Sequence, residues 1–505
     1  MSRVRTALAV AATSASALAL TTSAAHATDV TVTSFDGTPI VAHVFPVPGL
    51  AAGATAPTVL NGPGWAGSGD TDPSQGLIKQ LNAQGYNVVT WAPRGFGASG
   101  GLVSIDAPAI EGRDTSALID YVASQPWAQL DKPGDPRIGM AGGSYGGAIQ
   151  YSTAIADHRL DALVPIVGWH SLRTSLYKDD TFKQGWDSLL YASGLGAANA
   201  TAPGLDPHIV SAYEQGLKTG VLSAADEQWF TGRGPGDAVA GITTPTMVVG
   251  GTVDTLFPLD EDVKLYTAIK GGGAPVKMVW FCGGHGECLT GTGDAGTKTA
   301  TLSLGSQHLT DLTTAWFAKY LKKDASANTG PGFEWLADDA KWRSAAAWPA
   351  PAAPAVTATG KGTLKLVKGY QSGEAMKATP AKASAALQVA VTVPRAAQLV
   401  GAPRLTLSYA GKGAPAKGAK VFAQLVDVKR RIVVGNQVTP IPLVLDGKRH
   451  VVTRDLTPIA AAAAKGARYT LQIVSSSKVW APQRGTGTIR VSRVKLVLPA
   501  VKAAG

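Results

Sequence analysis

The sequence predicts two domains of different fold class: an α/β domain with a mostly parallel sheet and helices on both faces, then an all-β, jelly-roll-like sandwich. The chain has 505 residues, too many for one ordinary hydrophobic core. Apolar strand patterns alternate with helical ones in residues 28–344, whereas residues 357–505 consist of short strand patterns separated by Gly, Pro and Lys. The Ala/Pro-rich stretch between them, residues 345–356, is predicted to be a linker.

The first 27 residues have the pattern of a secretory signal peptide. Arg3 and Arg5 form a positive start, Thr6–Leu20 is apolar, and Ala25-His26-Ala27 fits a cleavage site of the A-x-A type. A membrane anchor is the alternative, but this run is shorter than the ~20 residues that a spanning helix needs. We expect a secreted or cell-envelope-associated protein without a transmembrane segment, whose mature chain begins near Thr28.

Strands and helices alternate along the first domain in the order that a parallel sheet requires. Helical patterns cover 77–84 and 108–125, and a further helix opens at residue 147. Strands are predicted at 30–34, 40–45, 56–60, 87–91, 138–141, 162–167, 246–249 and 276–281.

An insertion of about residues 170–241 lies between two of these strands and is rich in aromatic residues. It is predicted to be a small helical cap whose aromatic side chains mostly form its own core. A minority is expected to line a substrate cleft, with Trp169, His170 and Trp186 as candidates.

The stretch Ile138–Gly147 carries the strongest functional signal. An apolar strand runs directly into Gly142-x-Ser144-x-Gly146, and a helix follows. In this context Gly-x-Ser-x-Gly is a nucleophile elbow, because the glycines leave room for a strained turn that exposes the serine hydroxyl. The alternative is a Gly-rich turn whose serine caps a helix. The flanking strand and helix favour Ser144 as a nucleophile, with the N–H of Tyr145 beside it.

A serine nucleophile needs a histidine base and an acid that orients the histidine. In α/β-hydrolases they follow in the order Ser, Asp or Glu, His, each on a loop after a strand. Asp254 and His285 follow the strands at 246–249 and 276–281, whereas the acids at 260–262 belong to a helix start. The other histidines lie before Asp254 or in the leader, the cap, a helix or the β domain. Ser144, Asp254 and His285 are therefore predicted to form a catalytic triad.

Cys282 and Cys288 flank His285 and are the only cysteines of the chain. An even count in an exported protein predicts one disulfide, which would restrain the catalytic base. Two free thiols or a thiol–metal site are the alternatives. Two cysteines without a neighbouring set of His or carboxylate ligands make a poor zinc site, so we expect no metal and no cofactor.

Charge is divided unevenly between the two domains. Residues 361–502 carry 24 Lys and Arg against four acids, whereas residues 28–354 are net negative. The simpler interpretation is that opposite charges help the domains to dock and that Lys keeps strand edges soluble. We also hypothesise that the basic domain binds an anionic cell-envelope surface. Nucleic acid is not an expected partner outside the membrane.

These features together resemble the Xaa-Pro dipeptidyl-peptidase and cocaine-esterase family of serine hydrolases. Residues 142–147 are similar to its nucleophile motif, and 94–101 to a loop after its fourth strand, although Ala92 stands where an Asp is usual. The resemblance covers almost the whole mature chain and implies an α/β-hydrolase domain with a helical cap, followed by a jelly roll. Further similarities lie at Gln125-Pro126-Trp127, Trp342-Arg343, Trp348-Pro349, 399–403 and 423–428.

One departure from the family concerns the oxyanion hole, which needs two hydrogen-bond donors. Members often place a Tyr just after a Pro in the loop that follows the third strand. Here Pro63 is followed by Gly64 and Trp65, so the second donor beside Tyr145 is expected to be the backbone N–H of Gly64 or Trp65.

The sequence thus predicts a secreted serine hydrolase that cleaves a small ester or peptide substrate through an acyl-Ser144 intermediate. Xaa-Pro dipeptidyl bonds are one candidate target. The alternatives are an envelope acyltransferase that uses the same triad and a non-catalytic envelope-binding protein.

Overall fold

The computed structural model of the chain describes residues 27–198, 204–286, 288, 307–369, 386–415 and 418–502. The predicted signal peptide, residues 1–27, therefore lies outside the described residues apart from Ala27. In the described ranges no helix has both the length and the apolar character needed to cross a membrane.

The first domain is built on a ten-stranded sheet with the order β1-β2-β4-β3-β8-β9-β11-β12-β13-β14. Neighbours from β4 through β13 are parallel, and antiparallel pairs close both ends. This is the predicted mostly parallel sheet. In chain order the strands of this domain are β1 (Thr28–Thr33), β2 (Pro39–Phe45), β3 (Thr58–Asn61), β4 (Asn87–Trp91), β5 (Leu102–Val103), β6 (Leu130–Lys132), β7 (Asp135–Pro136), β8 (Ile138–Gly143), β9 (Leu160–Ile166), β10 (Gly204–Leu205), β11 (Thr246–Gly251), β12 (Val276–Phe281), β13 (Phe333–Leu336) and β14 (Trp342–Ala345).

Helices cover both faces of this sheet. The helices are α1 (Gly76–Ala83), α2 (Glu111–Ala123), α3 (Tyr145–Ala156), α4 (Leu172–Leu176), α5 (Gln184–Ala197), α6 (Pro207–Thr219), α7 (Ala224–Thr231), α8 (Leu259–Gly271) and α9 (Gln307–Tyr320). The apolar sides of α1 and α9 form one core with the sheet, and those of α2, α3 and α8 form another. Two separate cores fix the sheet between its helical layers, which gives loops at the carboxyl ends of the strands a rigid base.

Helices α4 to α7 form a cap between β9 and β11. In α6, the Asp206 side chain accepts the N–H of His208, Pro207 occupies the first turn, and Gly220 ends the helix with φ +77°. Apolar residues of the cap share one buried cluster with Tyr145, Leu256 and Phe257 of the sheet domain. The cap is therefore packed directly onto the loops that follow β8 and β11.

The second domain is a sandwich of two antiparallel sheets. One sheet has the order β22-β18-β25-β17-β23 with β15 paired to β25, and the other has β16-β24-β19-β20 with β21 paired to β19. Alternating Leu and Val side chains of both sheets form the core between them. Its strands are β15 (Ala352–Leu366), β16 (Ala386–Thr392), β17 (Ala397–Gly401), β18 (Arg404–Ala414), β19 (Ala419–Asp427), β20 (Ile432–Val433), β21 (Thr439–Leu443), β22 (Asp446–Asp455), β23 (Ile459–Ala463), β24 (Arg468–Val474) and β25 (Thr486–Val501).

Residues 459–465 are Ala-rich and have helical spacing, but residues 459–463 form strand β23. The strand pairs with β17 along its length. Ala460 packs against the core of the first domain, and Ala461 packs against the core of the second. Pairing with β17 and burial on both faces therefore override the high helix propensity of alanine.

The segment 345–356, for which a linker is predicted, is short and anchored. Its first residue ends β14, and β15 begins at Ala352, so that residues 346–351 alone connect the two strands. The Trp348 ring packs 4.6 Å from the Trp280 ring and 5.1 Å from the Phe333 ring, centroid to centroid. The second domain is therefore attached at a fixed point of the first domain's sheet.

Candidate active site

Ser144 lies at the turn between β8 and α3 in a strained backbone conformation, with φ 59° and ψ −118°. A Cβ on Gly142 would lie 2.8 Å from the carbonyl oxygens of both Gly62 and Gly146, and one on Gly146 would overlap the Gly62 carbonyl. The turn therefore requires glycine on both sides of the serine. This geometry presents the Ser144 hydroxyl above the carboxyl end of the sheet, as a nucleophile elbow does.

Asp254 lies in the turn after β11 and is fully buried. Its Oδ1 accepts hydrogen bonds from the N–H groups of Leu256 and Phe257, both at 2.8 Å. Its Oδ2 accepts the N–H of His285 at 3.1 Å and lies 2.7 Å from His285 Nδ1. These bonds fix the carboxylate and leave one oxygen directed at the imidazole.

His285 connects the carboxylate to the serine. Its Nε2 lies 2.8 Å from Ser144 Oγ, on the other side of the ring from Asp254. When Nδ1–H donates to Asp254, the lone pair of Nε2 faces the hydroxyl proton of Ser144, which is the arrangement that proton abstraction requires. The structure thus brings together all three residues predicted from separate loops.

The His285 loop is held from several sides. A disulfide joins Cys282 to Cys288 across six positions of sequence. The imidazole meets the Phe257 and Trp186 rings edge to face, with centroids 5.2 Å and 5.9 Å away. These contacts keep the His285 ring within hydrogen-bonding distance of Ser144.

The two predicted oxyanion donors border the nucleophile. Tyr145 is the first residue of α3, where backbone N–H groups have no partner within the helix and the helix dipole favours negative charge. The loop after β3 meets the elbow through the close approach of Gly62 to Gly146, and Trp65 lines the same cavity as Ser144. Gly64 lies between Gly62 and Trp65 in sequence, and a Cβ added to it would have no atom within 4 Å.

A cavity with about 770 Å³ of empty space, its open mouth included, extends from Ser144 between the sheet and the cap. Its walls are mostly apolar and aromatic, and Trp169 is among them, as expected. His170 is not among the wall residues. Its backbone N–H donates to Glu261 Oε2, and its ring Nε2 lies 3.4 Å from Asp237 Oδ1. Trp186 is not among the wall residues either. It packs against the His285 ring and donates its indole N–H to Thr255 Oγ1 at 2.9 Å.

Asp187, on α5, is a lining residue that the sequence did not reveal. Its side chain is buried, and no described residue donates a hydrogen bond to its Oδ2. Burial raises the pKa of this carboxyl well above its usual range, since the attraction of Lys183 only partly offsets the desolvation of its charge. A buried carboxyl with one oxygen that lacks a hydrogen-bond partner, facing an apolar cavity, is a site for a cationic or hydrogen-bond-donating group.

Two further residues that were not predicted hold the acid loop, defined here as residues 254–257. Lys183 of the cap is buried, and its Nζ donates to the carbonyls of Thr255 and Leu256, both at 2.9 Å. Gln437 of the β domain donates its Nε2–H to the carbonyl of Asp254 at 2.8 Å. Trp480, also of the β domain, places its ring centroid 5.1 Å from Lys183 Nζ. Cap and β domain therefore meet at Asp254.

Nothing in the sequence marks these roles. Lys183 directly precedes α5, and Asp187 follows it by four residues, a spacing typical of a solvent-exposed ion pair. Gln437 lies in a short loop without a motif. Their burial results from contacts between parts of the chain that are up to 297 residues apart, as Lys183 and Trp480 are. Among the described residues, no group of three or more His, Cys, Asp and Glu side chains could hold a metal ion.

The sequence profile of the X-Pro dipeptidyl-peptidase (S15) family matches residues 36–287, which include Ser144, Asp254 and His285. No curated protein matches the chain significantly.

Solved structures resemble the chain over both domains. A CocE/NonD family hydrolase from Staphylococcus aureus has 15% identity and a TM-score of 0.70, over 94% of this chain and 93% of its own. An aminopeptidase from a marine sediment Thaumarchaeota archaeon has 14% identity and a TM-score of 0.67, over 94% and 97%. An α-amino acid ester hydrolase has 14% identity and a TM-score of 0.66, over 94% and 96%. At these identities the similarity shows the shared two-domain fold.

Proposed function

The chain belongs to the X-Pro dipeptidyl-peptidase (S15) family and is a serine hydrolase, and from this premise we propose that it cleaves an ester or amide bond through an acyl-Ser144 intermediate. One observation carries the assignment of residues: Asp254, His285 and Ser144 form a continuous hydrogen-bonded chain that ends in the cavity. No step requires a cofactor.

The reaction follows from the positions of these atoms. Ser144 Oγ attacks the substrate carbonyl carbon while His285 Nε2 takes the hydroxyl proton, and Asp254 stabilises the imidazolium that results. The N–H groups of Tyr145 and of Gly64 or Trp65 stabilise the oxyanion. The tetrahedral intermediate breaks its bond to the leaving group, which receives the proton from His285. Water, deprotonated by His285, then attacks the acyl carbon and releases Ser144.

Asp187 narrows the substrate class to acyl groups that carry a free amine. In the empty cavity the raised pKa of Asp187 favours its neutral form. An ammonium group close to the carboxyl stabilises the ionised form, so that binding would release the Asp187 proton. Esters of amino acids and peptides with a free N-terminus, Xaa-Pro dipeptides among them, carry such an ammonium.

A substrate panel tests this proposal. Gly-Pro and Ala-Pro p-nitroanilides are compared with their N-acetylated forms and with p-nitrophenyl esters of varied chain length. Free-amine substrates are expected to have a lower KM than their N-acetylated forms. This KM should fall further as pH rises towards the pKa of Asp187, because the free energy needed to ionise the carboxyl then decreases. N-acetylated substrates are expected to lack this pH dependence.

The variant Asp187→Asn is expected to raise KM for free-amine substrates about tenfold or more, in line with ~1.5–3 kcal/mol for a hydrogen bond to a charged group. Glu214→Gln, which changes an exposed acid of the same cap, is the matched control. Equal effects of Asp187→Asn on free and acetylated substrates would exclude the amine-binding role. Covalent labelling of the wild type, but not of Ser144→Ala, by a fluorophosphonate tests the triad independently.

We also propose that the protein is exported and that its basic domain contacts an anionic cell-envelope surface. The support is the leader pattern of residues 1–27 and the 24 Lys and Arg against four acids in residues 361–502. Intact-mass analysis of protein secreted by an expressing host should show a chain that begins near Thr28. A retained leader in the secreted fraction would exclude cleavage at that site.

A further inference from the structure

Four strands of the larger β-domain sheet present one side to solvent. They lie in the order β15-β25-β18-β22, and their inward Leu, Val and Ile side chains form the sandwich core. The register aligns the outward side chains in rows that cross the strands. In this order the rows are Lys365–Thr488–Lys412–Asp446, Thr363–Arg490–Ala410–Arg449, Thr359–Lys495–Thr406–Thr453 and Thr357–Val497–Arg404–Asp455.

A β-bulge adds cations to the middle of this surface. The pairing of β25 with both neighbours shifts register around Ser492, so Ser492 and Arg493 are both exposed. Lys361 of β15 lies at the corresponding shift on its strand. The basic face, as we name it, has these eight exposed cations: Lys361, Lys365, Arg404, Lys412, Arg449, Arg490, Arg493 and Lys495.

Most of these charges have no counter-charge in the described protein. The two acids of the rows are Asp446, which pairs with His450 at 2.8 Å, and Asp455, which lies 3.7 Å from Arg404. Within the described ranges, no carboxylate lies within 4.0 Å of the other seven cations. By contrast, Arg94 of the first domain pairs with two carboxylates.

The basic face is wide enough for a polymer chain. Strands lie ~4.8 Å apart and alternate residues ~6.8 Å apart, so four strands and five positions span roughly 14 Å by 27 Å. Several cations at such spacing attract one long polyanion far more strongly than separate small anions, because each further contact is intramolecular. The distribution of charge therefore indicates a linear ligand with many negative groups.

Hydroxyl groups occupy much of the surface between the cations. Thr406 and Thr453 of neighbouring strands have their Oγ1 atoms 3.0 Å apart, and Thr359, Thr363 and Ser492 are also exposed. These groups can exchange hydrogen bonds with the hydroxyls of a polyol or sugar.

The same surface lacks what other polyanionic partners need. Its rows contain no aromatic residue on which bases could stack, and Val451, 69% exposed, is its one large apolar side chain open to solvent. Insertion into a bilayer interface requires a broader apolar side.

We infer that the basic face binds a linear polymer of hydroxylated units joined by phosphodiesters. This inference deepens the envelope contact proposed above and rests on it, but it is independent of the hydrolytic reaction. Gln437 and Trp480, which contact the acid loop and the cap, lie outside these four strands. Arg454 of β22, which lies 3.8 Å from Asp179 of the cap, is not one of the eight cations of the basic face. Polymer and substrate can therefore be bound at the same time.

The test measures binding of the full mature chain to synthetic poly(glycerol phosphate), with neutral dextran, oligo-dT and phosphatidylglycerol-containing vesicles as comparison ligands. The face variant combines Lys365→Gln, Arg490→Gln, Arg493→Gln and Lys495→Gln. The control variant, which removes the same charge from exposed loops of this domain, combines Lys429→Gln, Arg431→Gln, Lys465→Gln and Lys478→Gln. Unchanged ester hydrolysis verifies the folding of both variants.

Wild-type protein should bind the polymer with an affinity that falls steeply with salt, as release of several counter-ions requires. The face variant should bind at least tenfold more weakly, and the control variant within about twofold of wild type. Equal losses in both variants would overturn the assignment of this face but leave an envelope contact by the domain in place. No polymer binding by wild type would overturn both, and binding to vesicles or oligo-dT alone would replace the polymer by that ligand.

Discussion

The two ends of the hydrogen-bonded chain at the active site are held in different ways. Ser144 is positioned by backbone within the first domain: a strand, a strained turn and a helix contiguous in sequence, with Gly62 packed against Gly146. Asp254 is positioned by side chains from two other parts of the molecule, Lys183 of the cap and Gln437 of the β domain. The nucleophile is thus set locally, whereas the acid depends on the docking of cap and β domain.

This difference gives the second domain a role inside the molecule, the support of the acid loop, in addition to the proposed contact with a surface. The carbonyls of Asp254, Thr255 and Leu256 accept hydrogen bonds from side chains of the cap and the β domain, so displacement of these parts would remove the donors that hold the acid loop. A displaced acid loop would also release the carboxylate that orients His285. Catalysis is therefore coupled to the assembly of the whole chain.

The largest effect is expected at the nucleophile itself. Ser144→Ala removes the attacking oxygen, and kcat should fall about 10⁴-fold or more while the melting temperature stays close to that of wild type. Ser124→Ala, at an exposed serine after α2, should change neither quantity. Steady-state kinetics and thermal unfolding measure both. Retention of most activity in Ser144→Ala would mean that another residue is the nucleophile.

The local character of the nucleophile side is tested by a single methyl group. In Gly146→Ala the new Cβ would overlap the Gly62 carbonyl, so we expect a loss of about 3 kcal/mol in stability, or no folded protein, together with loss of activity. Gly196→Ala is the matched control on α5, because its Cβ has nothing within 4 Å. It should be neutral or slightly stabilising. Similar behaviour of the two variants in chemical denaturation would contradict the close packing of the elbow.

The distant support of the acid side is tested by Gln437→Leu, which keeps the side-chain volume and removes the donor to Asp254. We expect kcat to fall about tenfold with little change in KM, because the loss of one buried hydrogen bond loosens the acid loop and not the cavity. Gln388→Leu, at an exposed glutamine of β16, is the control. An unchanged kcat in Gln437→Leu would show that this hydrogen bond does not hold the acid loop in place.

The last effect is on stability and not on catalysis, and it concerns the cap's contact with the acid loop. Burial lowers the pKa of Lys183 from 10.5 to about 8. Between these values the unfolded chain binds more protons than the folded one, so the contribution of Lys183 to stability improves as pH rises from about 8 to 10.5, by up to ~3 kcal/mol. Below pH 8 both states are charged, and the cost of burying the ammonium is present in full.

The melting temperature of Lys183→Met should therefore fall relative to that of wild type as pH rises from 7 to 10. Lys218→Met, at an exposed lysine of α6, should show a constant difference over the same range. A constant difference for Lys183→Met as well would show that this ammonium is not held in a desolvated site.

Most elements of the first domain could be predicted because each leaves a local pattern. The strand at 87–91 and the one at 276–281 match β4 and β12 to the residue, since buried strands are continuous apolar runs ended by polar turns. The elbow has a motif, and Asp254 and His285 follow strands in a fixed order. By contrast, residues 459–465 have helical spacing, yet residues 459–463 form β23, because pairing with β17 and burial between two cores outweigh the local preference.

The sequence by itself determined the three residues that the structure joins by hydrogen bonds, since each depends on its own strand and turn, and such local preferences are written in neighbouring residues. Only the tertiary structure decided which side chains surround them. Asp187 and Lys183 are buried, and Gln437 reaches Asp254 across 183 positions of sequence. Their burial and partners depend on how the sheet domain, the cap and the β domain pack together. The residues that make these contacts are distant in sequence, so no local pattern marks them. The same holds for the basic face, where strand register, and not the count of lysines and arginines, gathers eight cations on one side of a sheet.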